Sequence, residues 1–534
     1  MKILNASQMQ QIDRLTADRY HVPTLTLMEN AGRGVLDFLI GRYAPLERHA
    51  VAVLCGRGNN GGDGFVVARL LRARGLKPRV LLFAEPADVK GDAAINLNRL
   101  QASGPPEVVA TLETWREVCP TLEGATLVID ALLGTGLTRP LEGFLLEVVR
   151  GVNRLRPQPK VVAVDLPSGL SADTPELIGE CIRADAAVTF TAPKLVHVFP
   201  PACQRVGEWV VKDIGTPPEA LESDDSLRLN VTTAADVAWL AKPRPPDSHK
   251  GSFGHVLVIA GSVGKTGAAA MAARAALRAG AGLVTVATPR SALPVVAGFG
   301  LEFMTEPLPE TDSGTISRGA LDSGLMDQLL KGKSVVAVGP GIGHAPETVE
   351  FVRELVRGTE LPAVIDADAL NALAGSLESL GSGPGSAGRI RLLTPHPGEM
   401  ARLTGGTTAG IQKSRLDTAR DFAARHHVYL VLKGFRTLAA APDGTVWVNP
   451  TGNPGMATGG TGDVLTGLLG GFLAQFGETH ERSITEVVAA AVYIHGLAGD
   501  LAAAEFGEMS MLAGDLLERI PAALKSMAVA PAGE

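Results

Sequence analysis

This 534-residue chain has few cysteines, few aromatics and no excess of positive charge. Its four cysteines, at 55, 119, 181 and 203, lie far apart and none forms a CxxC pair. That argues against a zinc site or a disulfide framework and fits a reducing, cytoplasmic setting. Lys and Arg number 49 against 56 Asp and Glu, a net charge of -7, whereas a nucleic-acid binder needs a basic footprint. Long apolar runs are missing too: the strongest, around 464–476 and 486–498, fall short of the 18 or so continuous apolar residues of a membrane span. The N-terminal MKILNASQMQQIDRL reads as an amphipathic helix capped by Asn5 or Ser7, without the apolar run of a signal peptide. No segment repeats at a fixed period of 20–50 residues. Glycine, by contrast, is abundant: 62 residues, beside 35 prolines and only 23 aromatics (15 Phe, 4 Trp, 4 Tyr), where average glycine usage is roughly 7%. Such a composition means either low complexity or many tight backbone turns, and the placement of the glycines decides between them.

The length suggests two to four domains, and a composition 46% hydrophobic and 20% charged excludes disorder. Short β-branched runs recur, each followed by a polar or glycine-rich loop and a helical pattern: VAVLC, RVLLF, TLVID, KVVAV and AVTFT in the first part. Continuous apolar strands alternating with helices mark a parallel sheet covered on both faces. After WVVKD (209–213) the pattern lapses into a Pro-, Asp- and Ser-rich stretch with room for a short helix at 231–240, and a second α/β series begins at HVLVIA (255–260). That series includes an expected hairpin turning at Asp443-Gly444 and closes with three helical patterns. The reading is two α/β domains, 1–218 and 226–534.

Ligands of doubly wound sheets bind beyond the carboxyl ends of the strands, so the residues closing each strand carry most of the information. VAVLC runs into GRGNNGGDG (56–64) and then FVVARLLRARG. Gly56-x-Gly58-x-x-Gly61 between strand and helix suits a phosphate cradle, and a plain turn explains the glycines but not the clustered Asn59, Asn60 and Asp63. Glu85, near the end of the second strand, is the acidic residue that an ordinary dinucleotide fold would want. TLVID ends in Asp130, before ALLGTGLTRPLEG; KVVAV ends at Asp165, before LPSGLSAD. Two carboxylates at adjacent strand ends face one crevice, where one could hold a cation and the other, partly desolvated, act as acid/base. The plainer alternative has Asp165 capping the turn at Pro167-Ser168-Gly169.

NNGGDGFVVAR, DALLGTGLTRPLEG and DLPSGLSAD resemble the NAD(P)H-hydrate epimerase domain over roughly the first 215 residues. The resemblance implies a Rossmann-like three-layer α/β/α sandwich. It implies that Asn59, Asn60, Gly61, Gly62 and Asp63, with Gly134, Thr135, Gly136, Leu137, Thr138, Arg139 and Pro140, bind the hydrated nicotinamide nucleotide. It further implies that Asn60, Asp130 and Ser168 hold K⁺ and that Asp165, also in contact with substrate, is the acid/base. Oxygen-only ligands suit a hard cation.

In the second series GSVGKT invites a P-loop reading, but GxxxxGK[ST] needs a glycine where Ile259 stands. A glycine-rich turn remains, with Lys265 either solvated or near ligand. NPTGNPGMATGGTGDVLTG (449–467) is more informative. Gly459, Gly460 and Gly462 with Asp463 open the helical VLTGLLGGFLAQF, so backbone donors and a carboxylate meet at a helix start. That combination stabilises a transferring phosphoryl group while the carboxylate accepts a hydroxyl proton. A simple cap needs neither three glycines nor the upstream Asn453-Pro454-Gly455. His396, between two prolines at a strand end, reads as a binding contact.

SHKGSFGHVLVIAGS, GPGIG, TPHPGEM, KGFRT and GNPGMATGGTGDVLTG together resemble the ADP-dependent NAD(P)H-hydrate dehydratase, a ribokinase-like fold, from about residue 226 onward. The resemblance implies that Ala268, Gly341, Gly343, His396 and Asp463 contact the hydrate, with Asp463 catalytic. It assigns Lys433, Gly434, Phe435, Arg436, Thr437 and Gly462 to the adenine nucleotide. Lys265 departs from the Tyr common in relatives. Mg²⁺ is expected with ADP; the sequence offers no all-protein carboxylate cage for it, and Glu399 is the candidate carboxylate. No residue discriminates ADP from ATP. The expected enzyme interconverts R and S hydrates of NADH and NADPH and dehydrates the S epimer at the expense of ADP, giving AMP and phosphate. Its partners would be small molecules, with neither nucleic acid nor membrane, in a cytoplasmic homo-oligomer. The rival is a ribokinase-like small-molecule kinase with an N-terminal nucleotide-binding module.

Overall fold

The computed structural model describes residues 1–381, 389–477 and 482–528. The chain forms two compact units that divide after Leu227, with Met1 joining the second.

The first unit is built on seven parallel strands: β1 (Val51–Cys55), β2 (Arg79–Leu82), β3 (Glu107–Val108), β4 (Leu127–Ala131), β5 (Lys160–Val164), β6 (Ala186–Phe190) and β7 (Glu208–Lys212). Their order is β3-β2-β1-β4-β5-β6-β7. Side chains alternate across the sheet. Val51, Val53 and Cys55 face a cluster with Val35 and Leu39 of helix Thr24–Tyr43 and Phe65 and Leu71 of helix Asn59–Ala73. Ala52 and Leu54 face Trp115, Val148 and Val152 on the other side. Both faces are therefore buried, which is why these strands read as unbroken apolar runs. The N-terminal helix Ala6–Asp18 is capped by Asn5, whose side chain accepts from the Gln8 amide.

One expectation changes here. NNGGDG is not a loop before a helix; it is the opening of helix Asn59–Ala73, with Gly58 as N-cap. Its glycines have ordinary negative φ and serve close packing. A Cβ on Gly61 would overlap the Gly56 carbonyl oxygen, and one on Gly64 would lie 2.7 Å from Ala131 Cβ and 2.8 Å from Cys55 Sγ. The helix thus lies almost against the strand ends. Gly61→Ala should lower the unfolding midpoint of this unit in a denaturant titration. The backbone clash outweighs the roughly 1 kcal/mol of helix propensity that alanine brings.

The second unit carries ten strands: β8 (Leu229–Val231), β9 (His255–Ile259), β10 (Leu283–Pro289), β11 (Met304–Leu308), β12 (Val335–Val338), β13 (Ala363–Ile365), β14 (Arg391–Leu393), β15 (Tyr429–Leu432), β16 (Leu438–Ala440) and β17 (Val446–Val448). Their order is β11-β10-β9-β12-β13-β14-β15-β16-β17-β8. All neighbours run parallel except β15/β16 and β16/β17, and the second of these pairs is the expected hairpin. Ala-rich helix Thr266–Arg278 and glycine-bearing helix Thr461–Phe476 pack closely. A Cβ on Gly467 would overlap the Ala272 carbonyl, and one on Gly471 would meet Ala279 Cβ at 2.6 Å.

Helix Ile484–Phe506 is longer than the apolar stretch read from sequence, and by length and composition it could cross a membrane. Yet 72% of its apolar window is buried inside the structure, with Val487, Ala490 and Ile494 in the main core. It is packed as a core helix.

Candidate functional site

In the first unit the strand order reverses between β1 and β4, the switch point where such sheets open a crevice at their carboxyl ends. A cavity of about 540 Å³ lies there. Of the expected binding residues, Asn59, Asn60, Asp63, Gly134, Thr135, Gly136, Leu137 and Asp165 line it, whereas Gly61, Gly62, Thr138, Arg139 and Pro140 do not. Gly61 is buried against Gly56 just beyond β1, and Gly62 against Met28 and Ala93 of two neighbouring helices. Glu85 is exposed and does not line this cavity.

Asp165 does not cap the turn after β5. Its backbone takes φ 66°, a left-handed conformation costly for a non-glycine residue, and several bonds hold it there. His197 Nε2 lies 2.8 Å from the Asp165 carbonyl oxygen, while His197 Nδ1 accepts from the Lys194 amide at 3.0 Å. Lys194 Nζ donates to Asp165 Oδ1 at 2.7 Å, and Thr189 Oγ1 donates to the same oxygen at 2.8 Å. Burial alone would raise the Asp165 carboxyl, but the Lys194 ammonium and these hydrogen bonds hold it below the usual range. Burial, with the Lys194 charge, drops His197 to about 4, so the ring is neutral.

Beneath the loop after β4, Asp130 and Ser168 are buried and joined at 2.6 Å; Asp130 also accepts from the amides of Ser168 and Leu132, and Ser168 Oγ from that of Leu133. Burial pushes Asp130 up to about 6, and no basic side chain pairs with it among the described residues. Asn60 is buried with Nδ2 unpartnered, and its side chain lies beside Gly134. An all-oxygen donor set around an uncompensated buried carboxylate fits a monovalent hard cation.

In the second unit the switch point falls between β9 and β12. Gly341 and Ala268 approach there: a Cβ on Gly341 would touch that of Ala268 at 3.1 Å. Lys265 is not simply solvated; its Nζ lies 3.2 Å from Asp368 Oδ2. Asp368 also accepts from the Gly343 amide and lies 2.9 Å from His344 Nε2.

The next strand ends converge on one charged cluster. After β13, buried Asp366 accepts from Lys433 Nζ at 2.8 Å and from Thr466 Oγ1 at 2.7 Å. After β14, His396 Nδ1 accepts from the amides of Gly398 and Glu399, while Glu399 Oε2 accepts from the His396 amide. His396 is thus a helix cap as well as a half-exposed ring; the His396 amide and Lys433 Nζ, at 3.8 Å, both face Glu399 Oε2, and Glu399 Oε1 lies 3.5 Å from His396 Nε2. Arg415 braces KGFRT from below through the carbonyls of Leu432, Lys433 and Arg436, leaving Phe435 exposed.

Asp463 lies in the first turn of helix Thr461–Phe476, whose N-cap Gly460 takes φ 98°. Its carboxyl makes no hydrogen bond with the protein among the described residues. Burial and the nearby Asp366 carboxylate push it up to about 7 against the pull of Lys433, the range suited to a general base near neutrality. Gly462 is next to both members of the ion pair: a Cβ there would lie 3.5 Å from Lys433 Nζ and 3.7 Å from Asp366 Oδ2.

The sequence motifs above do not point to Lys194, Thr189, His197, Asp366 or Asp368. Extending the strand-end rule to TAPKLVH after β6 and DADALN after β13 would have flagged most of them.

Residues 24–196 match the family described as YjeF-related protein N-terminus, and residues 256–522 match NAD(P)H-hydrate dehydratase. The chain is 44% identical to the bifunctional NAD(P)H-hydrate repair enzyme Nnr of Moorella thermoacetica, covering 99% of this chain and 97% of that one. It is 34% identical to the Escherichia coli protein of the same name, over 96% and 92%. Among solved structures, the ADP/ATP-dependent NAD(P)H-hydrate dehydratase of Bacillus subtilis, co-crystallised with ATP and Mg²⁺, is 32% identical with a TM-score of 0.48, covering 56% of this chain and 98% of that one.

Proposed function

The chain belongs to the bifunctional NAD(P)H-hydrate repair enzymes, and on that premise we propose how its residues divide the work. Residues 1–218 carry the epimerase and 226–534 the dehydratase. The first interconverts the R and S hydrates of NADH and NADPH; the second returns the S hydrate to the reduced nucleotide.

At the first site Asp165 is the acid/base toward the carbon bearing the added hydroxyl, and the Asn59–Asp63 and Gly134–Pro140 segments bind the hydrate. Asn60, Asp130 and Ser168 would hold K⁺, whose charge would neutralise the buried Asp130. At the second site Ala268, Gly341, Gly343, His396 and Asp463 meet the hydrate, and Lys433–Thr437 with Gly462 meet the nucleotide. Asp463 takes the proton of the hydroxyl as its oxygen attacks the terminal phosphoryl group of ADP, and AMP departs. The amides at the start of helix Thr461–Phe476 stabilise the charge on the transferring group. The phosphate ester then leaves with a proton from the neighbouring carbon, restoring the ring double bond. Mg²⁺ neutralises the nucleotide phosphates when bound. No cluster of His, Cys, Asp and Glu able to hold a metal exists among the described residues, so its ligands come chiefly from the nucleotide. The enzyme acts in the cytoplasm as a homo-oligomer on small molecules.

The observation that carries this reading is the Asp463 carboxyl, without a hydrogen bond to the protein among the described residues, at a glycine-rich helix start. Separated R and S hydrates supplied with ADP, ATP or no donor test it. The S hydrate with ADP should regain dihydronicotinamide absorbance with one AMP and one phosphate per turnover. A stable phosphorylated product without that absorbance would make the protein a kinase instead.

A further inference from the structure

Inverting a carbon that bears both a hydroxyl and a ring nitrogen needs one group to take a proton and another to give one. Asp165 supplies one half of that pair. Three carboxyls line the first-unit cavity near one another: Asp165 after β5, Asp63 on helix Asn59–Ala73 and Asp13 on helix Ala6–Asp18. Arg57, Asp92 and Lys194 are the other charged groups in the lining.

Lys194 is buried, and an ammonium has three donors. They go to Asp165 Oδ1 at 2.7 Å, Thr189 Oγ1 at 2.8 Å and the Phe190 carbonyl at 3.2 Å. None is left for Asp63 or Asp13, and neither carboxyl makes a hydrogen bond with the protein among the described residues. Among the described residues every hydrogen bond to the Asp165 carboxylate reaches Oδ1, so Oδ2 is uncommitted. Neighbouring carboxyls disfavour one another's ionisation, and differences in burial and in nearby charge separate their roles. Burial and the Asp165 and Asp13 charges hold Asp63 well above the usual carboxylate range. Burial, opposed by Lys194 and aided by Asp165, takes Asp13 only to about 6.

We propose that Lys194, by committing all its donors around Asp165, fixes Asp165 as the base and leaves Asp63 as the acid of a two-carboxyl pair acting on the hydrate. Asp63 is then a catalytic residue and Lys194 a positioning residue, a deepening that rests on the epimerase reading. Asp165 Oδ2 takes the hydroxyl proton, the oxygen electrons form a carbonyl, and the carbon–nitrogen bond breaks onto the ring nitrogen, which Asp63 protonates. The carbonyl turns about its bond to the neighbouring carbon. The nitrogen then adds to its other face, returning its proton to Asp63 while Asp165 returns the other to oxygen. No proton or electron is gained or lost. Expelling hydroxide instead would leave an iminium beside a base, which would lose the neighbouring proton and yield the dihydronicotinamide without ADP.

The test uses full-length protein and separated R hydrate without nucleotide, so that the dehydratase is silent and each inverted molecule is read by chromatography as S hydrate, with kcat and KM measured across pH. Asp63→Asn should lose about 10²–10⁴ in kcat with little change in KM, together with the alkaline limb of the profile; Asp63→Glu should retain more activity than Asp63→Asn. Lys194→Met should move the acid limb upward toward neutrality, and Lys194→Arg should restore it. Wild-type kcat in Asp63→Asn, or a rise in KM alone, overturns the acid role. An acid limb unmoved in Lys194→Met overturns the Lys194 role even if that variant is less stable. Wild-type protein that consumes S hydrate with ADP but leaves R hydrate uninverted overturns the epimerase reading and this proposal with it.

Discussion

Asp463→Asn is expected to lower kcat for S-hydrate conversion by about 10²–10⁴, the usual contribution of a positioned general base, while KM for the hydrate changes little. The argument rests on the isolation of the Asp463 carboxyl. It sits in the first turn of helix Thr461–Phe476 with no hydrogen bond to the protein among the described residues, so amide replacement breaks no network. A base pushed up to about 7 also fixes the sign of the pH dependence. Below that value the carboxyl is protonated and cannot accept the hydroxyl proton, so the wild-type rate falls about tenfold per pH unit; above it the rate is level. The residual rate of the Asn variant should lose this limb. Steady-state rates on S hydrate with saturating ADP check both points, and an unchanged acid limb in the variant would assign the ionisation to another group.

Asp165→Asn should abolish use of R hydrate, again by about 10²–10⁴ in rate, and leave S-hydrate dehydration intact. It should also destabilise the first unit, because it strands the Lys194 ammonium, which is buried and 2.7 Å from the lost charge. Breaking a buried ion pair from one side costs about 3–5 kcal/mol. The double variant Asp165→Asn with Lys194→Met should recover much of that stability and none of the epimerisation. Thermal unfolding and the R-hydrate rate, measured on all three variants, separate the structural from the chemical part. A stable single variant would mean that Lys194 finds another counter-charge.

The sequence motifs were most legible where they end strands. Asp130, Asp165, His396 and Asp463 all sit at or just beyond the carboxyl ends of strands or at a helix start, and each is legible from its position in a local pattern, whereas Lys433, just beyond β15, follows only from the family resemblance. The glycines were read only in part. In the second unit Gly339, Gly341, Gly343 and Gly460 have positive φ, as turns require. In the first unit Gly61, Gly62 and Gly64 are helical and admit a close neighbour. Both uses look alike in sequence, because one depends on backbone angle and the other on what lies across the interface. His396 shows the same limit: a histidine between prolines announces a rigid site, but not that its ring caps the following helix.

By itself the sequence determined the α/β class, the two series of strands and the loops in which chemistry would be found, because apolar periodicity and strand-end motifs are local. The tertiary structure decided which carboxyls are ionised. Lys194 stands 29 residues from Asp165, Lys433 67 from Asp366 and Thr466 100 from Asp366. Protonation follows from burial and from the charges within a few ångströms, and those neighbours come from parts of the chain that only the folded sheet brings together.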